Sequence, residues 1–361
     1  MIPIAKPQLD EAEIEAVNEV LRSGIIAEGQ RVAEFEQAFA EYTGTELAVA
    51  VNSGTAALHA ALLAHGIGKG DEVITSSFSF IATANSVLFT GAKPVFADIK
   101  ADTFNLDPQL IEEKITPATK AIMPVHLYGQ PAEIDLMTDI AEDHNLVLIE
   151  DACQAHGAEH NGKKVGSFGT GAFSFYPTKN MTTSEGGIIT TNSREVADKA
   201  RMIRSHGSKQ RYLHEMLGYN LRMTDISAAI GLVQLKKLPE YTARRQHNAK
   251  LLTESLRDIE GIQCPVLREK CEHVFHQYTI RTRDRDALAD HLRDKGIGTG
   301  IYYPIPIHKQ PYYKELGYNE DLLITEKASR EVLSLPVHPG VTDEDIVTIS
   351  NAIRDWSESK C

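Results

Sequence analysis

Lys179 stands in the stretch 169–192, GTGAFSFYPTKNMTTSEGGIITTN. The apolar run 172–176 reads as a buried strand that ends at Pro177-Thr178, directly before the lysine. Gly186-Gly187 then opens a second apolar run, 188–191. An amine at a strand exit, close to aromatic and hydroxyl side chains, can lose hydration and become a nucleophile. A loop lysine on the surface fits the same letters, because lysine is mostly exposed. The company it keeps elsewhere in the chain decides between the two.

Asp151 directly follows the apolar run 146–150. Ligand sites of parallel sheets lie beyond such carboxyl ends. A carboxylate there can hold a protonated heterocyclic nitrogen, or it can cap a helix. Gln154 is three residues on, and Phe80 begins a helix after another strand exit. Phe80 can stack on a planar ring or pack in the core. Ser53-Gly54-Thr55 joins a strand to a helix. The free N–H groups and positive end of a helix, with a glycine that lets backbone come close, suit an anion. An ordinary strand–helix turn has the same letters. Ser174, five residues before Lys179, can offer a hydroxyl to a phosphate. Amine, carboxylate, stacking ring and phosphate cradle together are what pyridoxal phosphate (PLP) requires.

The elements that must position these groups follow from periodicity. Amphipathic helices are predicted over 10–23 and 30–43. Strand 47–51, helix 56–65, strand 72–75, helix 81–90, strand 94–98, strand 121–125, helix 133–144 and strand 146–150 come next. Unbroken apolar strands alternating with helices predict an α/β fold with a mostly parallel sheet covered on both faces. After helix 193–206, another helix starts at Thr224 or Asp225 and is expected to stop before Pro239. A connecting helix, 241–258, leads to strand 277–281, helix 287–295 and strand 298–303. Helix 342–356 closes the chain from a Thr342-x-x-Asp345 start. This divides the chain into a large domain, 1–240, and a smaller C-terminal α/β domain, 241–361.

Composition narrows the function classes. A net charge of −13 argues against a nucleic-acid binder, which needs a basic face. No apolar run approaches the roughly 20 residues that span a bilayer, and the N-terminus turns acidic too early for a signal peptide. Cys153, Cys264, Cys271 and Cys361 form no C-x-x-C pair and read as reduced thiols of a cytoplasmic protein. Neither GIGKGD nor GIGTGI has the spacing of a nucleotide-binding glycine loop. His156 and His160 stand four apart, but in the glycine-bearing run HGAEHNGKK, so no metal is expected.

The chain resembles the DegT/StrS-type nucleotide-sugar aminotransferases, PLP enzymes of the aspartate-aminotransferase fold (fold type I). The resemblance spans nearly all of it. It is carried by PVFADI (94–99), HLYGQPAEID (126–135), EDACQAHGA (150–158), SFYPTKN (174–180), EGG (185–187), RSHG (204–207), GYNLRMTDI (218–226), YYPIPIHKQP (302–311) and LSLPVHPG (333–340). The resemblance implies that Lys179 forms the Schiff base with the cofactor and that Asp151 pairs with the pyridine nitrogen. Gln154 would meet the ring hydroxyl, Phe80 would stack on the ring, and Gly54, Thr55 and Ser174 would bind the phosphate. Asn220 would reach the phosphate of a second subunit in a homodimer with shared sites. His308 would lie in the segment with which the family brings partner-subunit residues to the sugar nucleotide. The implied reaction moves an amino group, from L-glutamate by family analogy, onto a keto-sugar nucleotide for polysaccharide or glycan biosynthesis. Two other readings are the family's sugar dehydratases, in which histidine replaces the lysine, and a non-enzymatic regulatory relative. Lys179 speaks against the first, and the acidic balance with a complete set of cofactor residues against the second.

Overall fold

The apolar runs pair into one central sheet, described in a computed structural model that covers residues 1–359. Cys361, counted above among the thiols, lies outside the described residues. In chain order the strands are β1 (Leu47–Val51), β2 (Glu72–Ser76), β3 (Lys93–Ala97), β4 (Thr119–Met123), β5 (Val147–Asp151), the short β6 (Glu159–His160) and β7 (Lys163–Lys164), β8 (Thr170–Ser174) and β9 (Gly187–Thr191). A hairpin, β10 (Ser208–Gln210) and β11 (Leu213–His214), follows, and then β12 (Cys271–Glu272), β13 (Tyr278–Arg281) and β14 (Val332–Leu335). The helices are α1 (Glu11–Ser23), α2 (Gln30–Thr43), α3 (Gly54–Ala64), α4 (Ala82–Phe89), α5 (Ile134–Asp143), α6 (Arg194–Arg204), α7 (Asp225–Leu256), α8 (Arg285–Asp294), α9 (Pro311–Glu315), α10 (Leu323–Glu331) and α11 (Asp343–Glu358).

The central sheet has seven strands in the order β1-β9-β8-β5-β4-β2-β3. Within it β9 runs antiparallel to β1 and β8, and the remaining pairs are parallel. Both faces are covered, which is why its strands are apolar without alternation. Val49 and Val51 point to a layer that includes Leu58 and Leu62 of α3 and Ile203 of α6. Ala48 and Ala50 point the other way, to Phe35 and Phe39 of α2 and Leu235 and Leu238 of α7. A separate core joins Leu252 and Leu256 of α7 to Tyr278, Ile280, Leu288, Leu333, Ile349 and Ile353. The Thr342–Asp345 capping box starts α11 as its spacing predicts.

Two sequence expectations are corrected. The helix from Asp225 does not stop at Pro239: α7 continues through it to Leu256. A mid-helix proline removes one N–H and crowds the carbonyl four residues back, at roughly 3 kcal/mol. Here helix on both sides of it is buried, Leu235 and Leu238 before it, Arg245, Ala249 and Leu252 after it, and that packing outweighs the local penalty. The stretch 298–303 is not a strand: only Gly300 bridges Ser334. Beyond it the chain leaves the pairing, and Tyr302 and Tyr303 turn into a cavity at the carboxyl ends of the central strands.

Candidate active site

The cavity measures about 370 Å³ and is lined by Gly54, Thr55, Phe80, Asp151, Gln154, Ser174 and Lys179. The structure thus brings seven of the nine sequence-selected residues to one place. Each arrives from a different local construction. Ser53 caps α3, its side chain accepting from the Ala56 N–H, so the first-turn N–H groups of Gly54 and Thr55 have no intrahelical acceptor. A Cβ on Gly54 would lie 2.5 Å from Ser174 Cβ. Glycine is therefore what lets the helix start approach β8, bringing the Ser174 hydroxyl beside the helix N-terminus.

Asp151 is the last residue of β5. The strand end is anchored by its neighbour Glu150, whose buried carboxylate accepts from the N–H groups of Gly166 (2.7 Å), Phe168 (2.8 Å) and Gly169 (2.9 Å) and contacts His126 Nε2 (3.0 Å). Successive residues of a strand face opposite ways, so Glu150 fastens the loop behind the sheet and Asp151 faces the cavity. The Asp151 Oδ2 accepts from Thr83 Oγ1 (2.7 Å), and its Oδ1 accepts from the Cys153 N–H (3.2 Å). Gln154 is held at both ends: its Oε1 accepts from Tyr128 N–H (3.0 Å), and its Nε2 donates to Tyr303 Oη (3.2 Å).

Lys179 follows β8 in a turn closed by its own N–H to Tyr176 O (2.8 Å). The turn is fastened from below by Phe175, which is fully buried and packs edge-on to Phe35 and Phe39. Burial lowers the pKa of the Lys179 ammonium, opposed by Cys153 and Asp151. Burial also drives the Cys153 thiol well above its ordinary value, so the thiol stays protonated and Asp151 is the opposing charge that counts. A depressed ammonium means a larger share of free amine at neutral pH, the form that attacks a carbonyl.

Sequence reasoning missed several side chains in this wall. Tyr303 extends over the cavity with its ring 6.2 Å from that of Phe80. Burial and the Asp151 carboxylate push its hydroxyl pKa up, so it is a neutral hydrogen-bonding group. Both tyrosines belong to the motif at 302–311, where their aromatic character suggested a strand. His276 lines the cavity as a neutral ring, burial holding its pKa far below the ordinary value. Thr83 lies three residues after Phe80, one helical turn, and that spacing was the available signal. Glu185 is in the wall as well, from the EGG motif.

Two expected residues are not in the cavity. Asn220 is exposed, in a segment that bridges Ser205, and its backbone carbonyl lies 3.5 Å from Asn52 Nδ2. It therefore does not line the site of its own chain. The His308 ring is buried outside the cavity of its own chain, with Nδ1 2.6 Å from Ser77 Oγ and Nε2 3.4 Å from Glu326. Through Ser77 the ring braces the loop before Phe80.

The residues present fit PLP. The Lys179 amine belongs to the wall of the cavity. Each Asp151 oxygen has accepted a single bond and keeps room for another. The α3 terminus offers unpaired N–H groups beside three hydroxyls, those of Ser53, Thr55 and Ser174.

Comparison with known proteins points the same way. Residues 7–354 match the DegT/DnrJ/EryC1/StrS aminotransferase family. A "pleiotropic regulatory protein" of Geobacillus stearothermophilus is 46% identical over 97% of this chain and 95% of its own. GDP-perosamine synthase of Caulobacter vibrioides is 43% identical, covering 98% of this chain and 97% of its own. Among solved structures, S. venezuelae DesV in complex with a ketimine intermediate superposes with a TM-score of 0.94 at 41% identity, covering 96% of this chain and 94% of its own. NtdA of Bacillus subtilis, solved with bound cofactor PMP, gives 0.91 at 34% identity, covering 97% and 83%. Among the described residues no helix is long and apolar enough to cross a membrane.

Proposed function

The chain belongs to the DegT/DnrJ/EryC1/StrS aminotransferase family, PLP-dependent transaminases of fold type I, and from that premise we propose that it transfers an amino group from L-glutamate to a keto-sugar nucleotide. The product would be an amino-sugar nucleotide for polysaccharide or glycan assembly. The observation that carries the reading is the pairing of Lys179 and Asp151 in one cavity at the N-terminus of α3. The cofactor supplies an electron sink for the charge left when a proton leaves the donor's α-carbon. Lys179 would hold the cofactor through Nζ, and its amine would serve as the general base that accepts the α-carbon proton and the general acid that delivers it to the cofactor. Asp151 pairs with the ring nitrogen and keeps it protonated. Gln154, immobilised by Tyr128 and Tyr303, uses its remaining N–H toward the ring hydroxyl. Phe80, 55% exposed at the cavity mouth, covers the ring and excludes water from one face. Gly54, Thr55 and Ser174 take the phosphate.

We further propose a homodimer in which Asn220 of one chain serves the phosphate site of the other. Its exposed position outside its own cavity supports this. The regulatory name of one relative belongs to that protein, and a chain that only regulates has no use for a depressed lysine beside a buried carboxylate.

The test has two parts. The purified protein should absorb in the visible range and lose that band on addition of L-glutamate. The amino form should regain it with one member of a panel of keto-sugar nucleotides. Borohydride reduction should fix the cofactor to the peptide containing Lys179. Label on Lys163 or Lys164 instead would refute the assignment, and a band indifferent to every donor and acceptor would refute the reaction.

A further inference from the structure

Asp151 does not stand alone at the end of β5. Thr83, in the first turn of α4, is 1% exposed and donates its hydroxyl to Asp151 Oδ2 at 2.7 Å. Behind it, Ser79 Oγ lies 2.8 Å from Thr83 Oγ1 and is itself 3% exposed. A hydroxyl has one proton. A carboxylate can only accept, so the Thr83 proton points to Asp151 and the Ser79 proton points to Thr83. This gives a one-way chain, Ser79 to Thr83 to Asp151. The Cys153 N–H on Oδ1 completes the hold. With one bond on each oxygen the carboxylate cannot rotate.

Phe80 stands just before α4, its carbonyl accepting from the Thr83 N–H (3.1 Å). The helix start that covers the ring therefore also fixes the anion at its edge. A threonine three residues beyond an exposed phenylalanine could have faced solvent or closed a helix turn. Here its hydroxyl is fully committed inside the wall of the cavity. The ionisable groups that act on or with this carboxylate are Lys179, Cys153 and Tyr303. Lys179 is the cation among them, and it is committed to the cofactor in the resting enzyme. Thr83 is thus the hydroxyl donor left to stabilise the anion, beside the weaker thiol donor of Cys153.

We propose that Thr83, supported by Ser79, is a positioning residue: it orients the Asp151 carboxylate and favours its anionic form, so that the proton of the pair stays on the cofactor's ring nitrogen. This rests on the pairing of Asp151 with that nitrogen proposed above. A hydrogen bond to a charged acceptor is among the stronger ones in proteins. Its loss should shift the shared proton toward Asp151, lowering the ratio of protonated to free ring nitrogen by about tenfold.

The test uses holoenzyme reconstituted with PLP carrying 15N in the ring, whose 15N signal reports protonation of that nitrogen directly. Thr83→Val keeps the shape and removes the donor. At one pH its ring signal should report a ratio of protonated to free nitrogen about tenfold below that of the wild-type enzyme. Thr83→Ser restores the hydroxyl and should give the wild-type ratio. Ser79→Ala, which leaves Thr83 its own proton, should fall between. A wild-type ratio in Thr83→Val, while Asp151→Asn shifts the signal, overturns the role of Thr83. A Thr83→Ser enzyme that follows Thr83→Val overturns it too, because the effect would then come from the methyl packing. If Asp151→Asn also leaves the signal unchanged, the pairing of Asp151 itself is wrong, and this inference falls with it. Should Thr83→Val fail to retain cofactor, the Thr83→Ser and Ser79→Ala pair decides by the same signal: a Ser79→Ala enzyme indistinguishable from Thr83→Ser refutes the chain.

Discussion

Protonating the buried histidines of this fold should unfold it well above the pH at which carboxylates titrate. His156, His273 and His276 are 0%, 6% and 7% exposed. Burial pushes His156 and His273 down to about 3 from the ordinary 6.5 and holds His276 well below it too, with Lys179 and Arg245 adding like charge around His156 and His276. The unfolded chain takes up protons near pH 6.5 that the folded chain refuses. Stability is therefore fully present above that value and lost as pH falls toward the folded values. Between pH 7 and 5.5 the loss depends only on the unfolded value and comes to about 1.3 kcal/mol per group, about 4 kcal/mol for three. His156 isolates one share. Its ring lies between Phe173 and Phe175, with centroids at 5.4 and 5.6 Å. The Ser174 backbone slightly favours its charged form, yet neither ring nitrogen has a partner within hydrogen-bond reach. His156→Phe should therefore be at least as stable as wild type at pH 7, since no bond is lost, and should lose about 1.3 kcal/mol less on going to pH 5.5. Urea unfolding at both pH values, with cofactor saturating, measures the two differences. Equal stability of the wild-type protein at pH 7 and 5.5, or an unchanged pH loss in His156→Phe, would refute the reasoning.

Three further outcomes concern the site. Gly54→Ala places a Cβ 2.5 Å from Ser174 Cβ and 3.1 Å from Cys153 Sγ; it should cost about 1–3 kcal/mol of stability and weaken cofactor binding by roughly tenfold or more, and an unchanged affinity in equilibrium dialysis would mean that the phosphate is held elsewhere. Asp151→Asn should keep cofactor but slow the glutamate half-reaction by ~10²-fold or more; near-normal stopped-flow rates would reduce Asp151 to a structural residue. Lys179→Ala and Asn220→Asp should each be inactive, yet after subunit exchange their mixture should regain about a quarter of wild-type activity, because half the dimers are mixed and each mixed dimer has one intact site; no recovery despite exchange proven by mass would sink the shared-site reading.

The central sheet was legible because its strands are short, apolar on both faces and separated by helices with ordinary periodicity. The site was legible where a residue's role follows from its place at a strand exit. Asp151 and Lys179 are such cases, and their loops were found where the runs ended. Pro239 misled because a local rule was applied to a helix whose stability comes from packing along its length. The run 298–303 misled for the opposite reason: aromatic residues that look like strand are used to line the cavity, and pairing ends at Gly300. Thr83 and Tyr303 escaped notice because neither has a chemistry that draws attention alone. Only folding brings one onto Asp151 and the other onto Gln154. For His308 the motif fixes the neighbourhood and leaves the rotamer open; within its own chain Ser77 and Glu326 hold the ring.

The charge balance of the cavity bears on how many chains a working site needs. Among the described residues that line it, Lys179 is the one cation, against the carboxylates of Asp151 and Glu185. On the proposed chemistry, Lys179 would be taken up by the cofactor's carbonyl carbon and Asp151 by its ring nitrogen. The phosphate, close to a dianion, is then left with hydroxyls and the end of α3, equivalent to about half a positive charge. Glu185 makes the deficit larger. A sugar nucleotide adds two more phosphates at the mouth. Ligands of that charge need donors that this chain's own cavity does not offer. The segment from Ser205 to Arg222 is where such donors are exposed: it carries Lys209, Arg211 and Asn220, and it shows solvent the apolar faces of Tyr212 (82%) and Leu217 (79%). On the shared-site reading these facts have one explanation. The apolar residues are covered by the second subunit, and the polar ones complete its anion site. A monomeric variant should then keep its fold yet bind the cofactor phosphate poorly, and inorganic phosphate should compete with PLP far less well for the monomer than for the dimer.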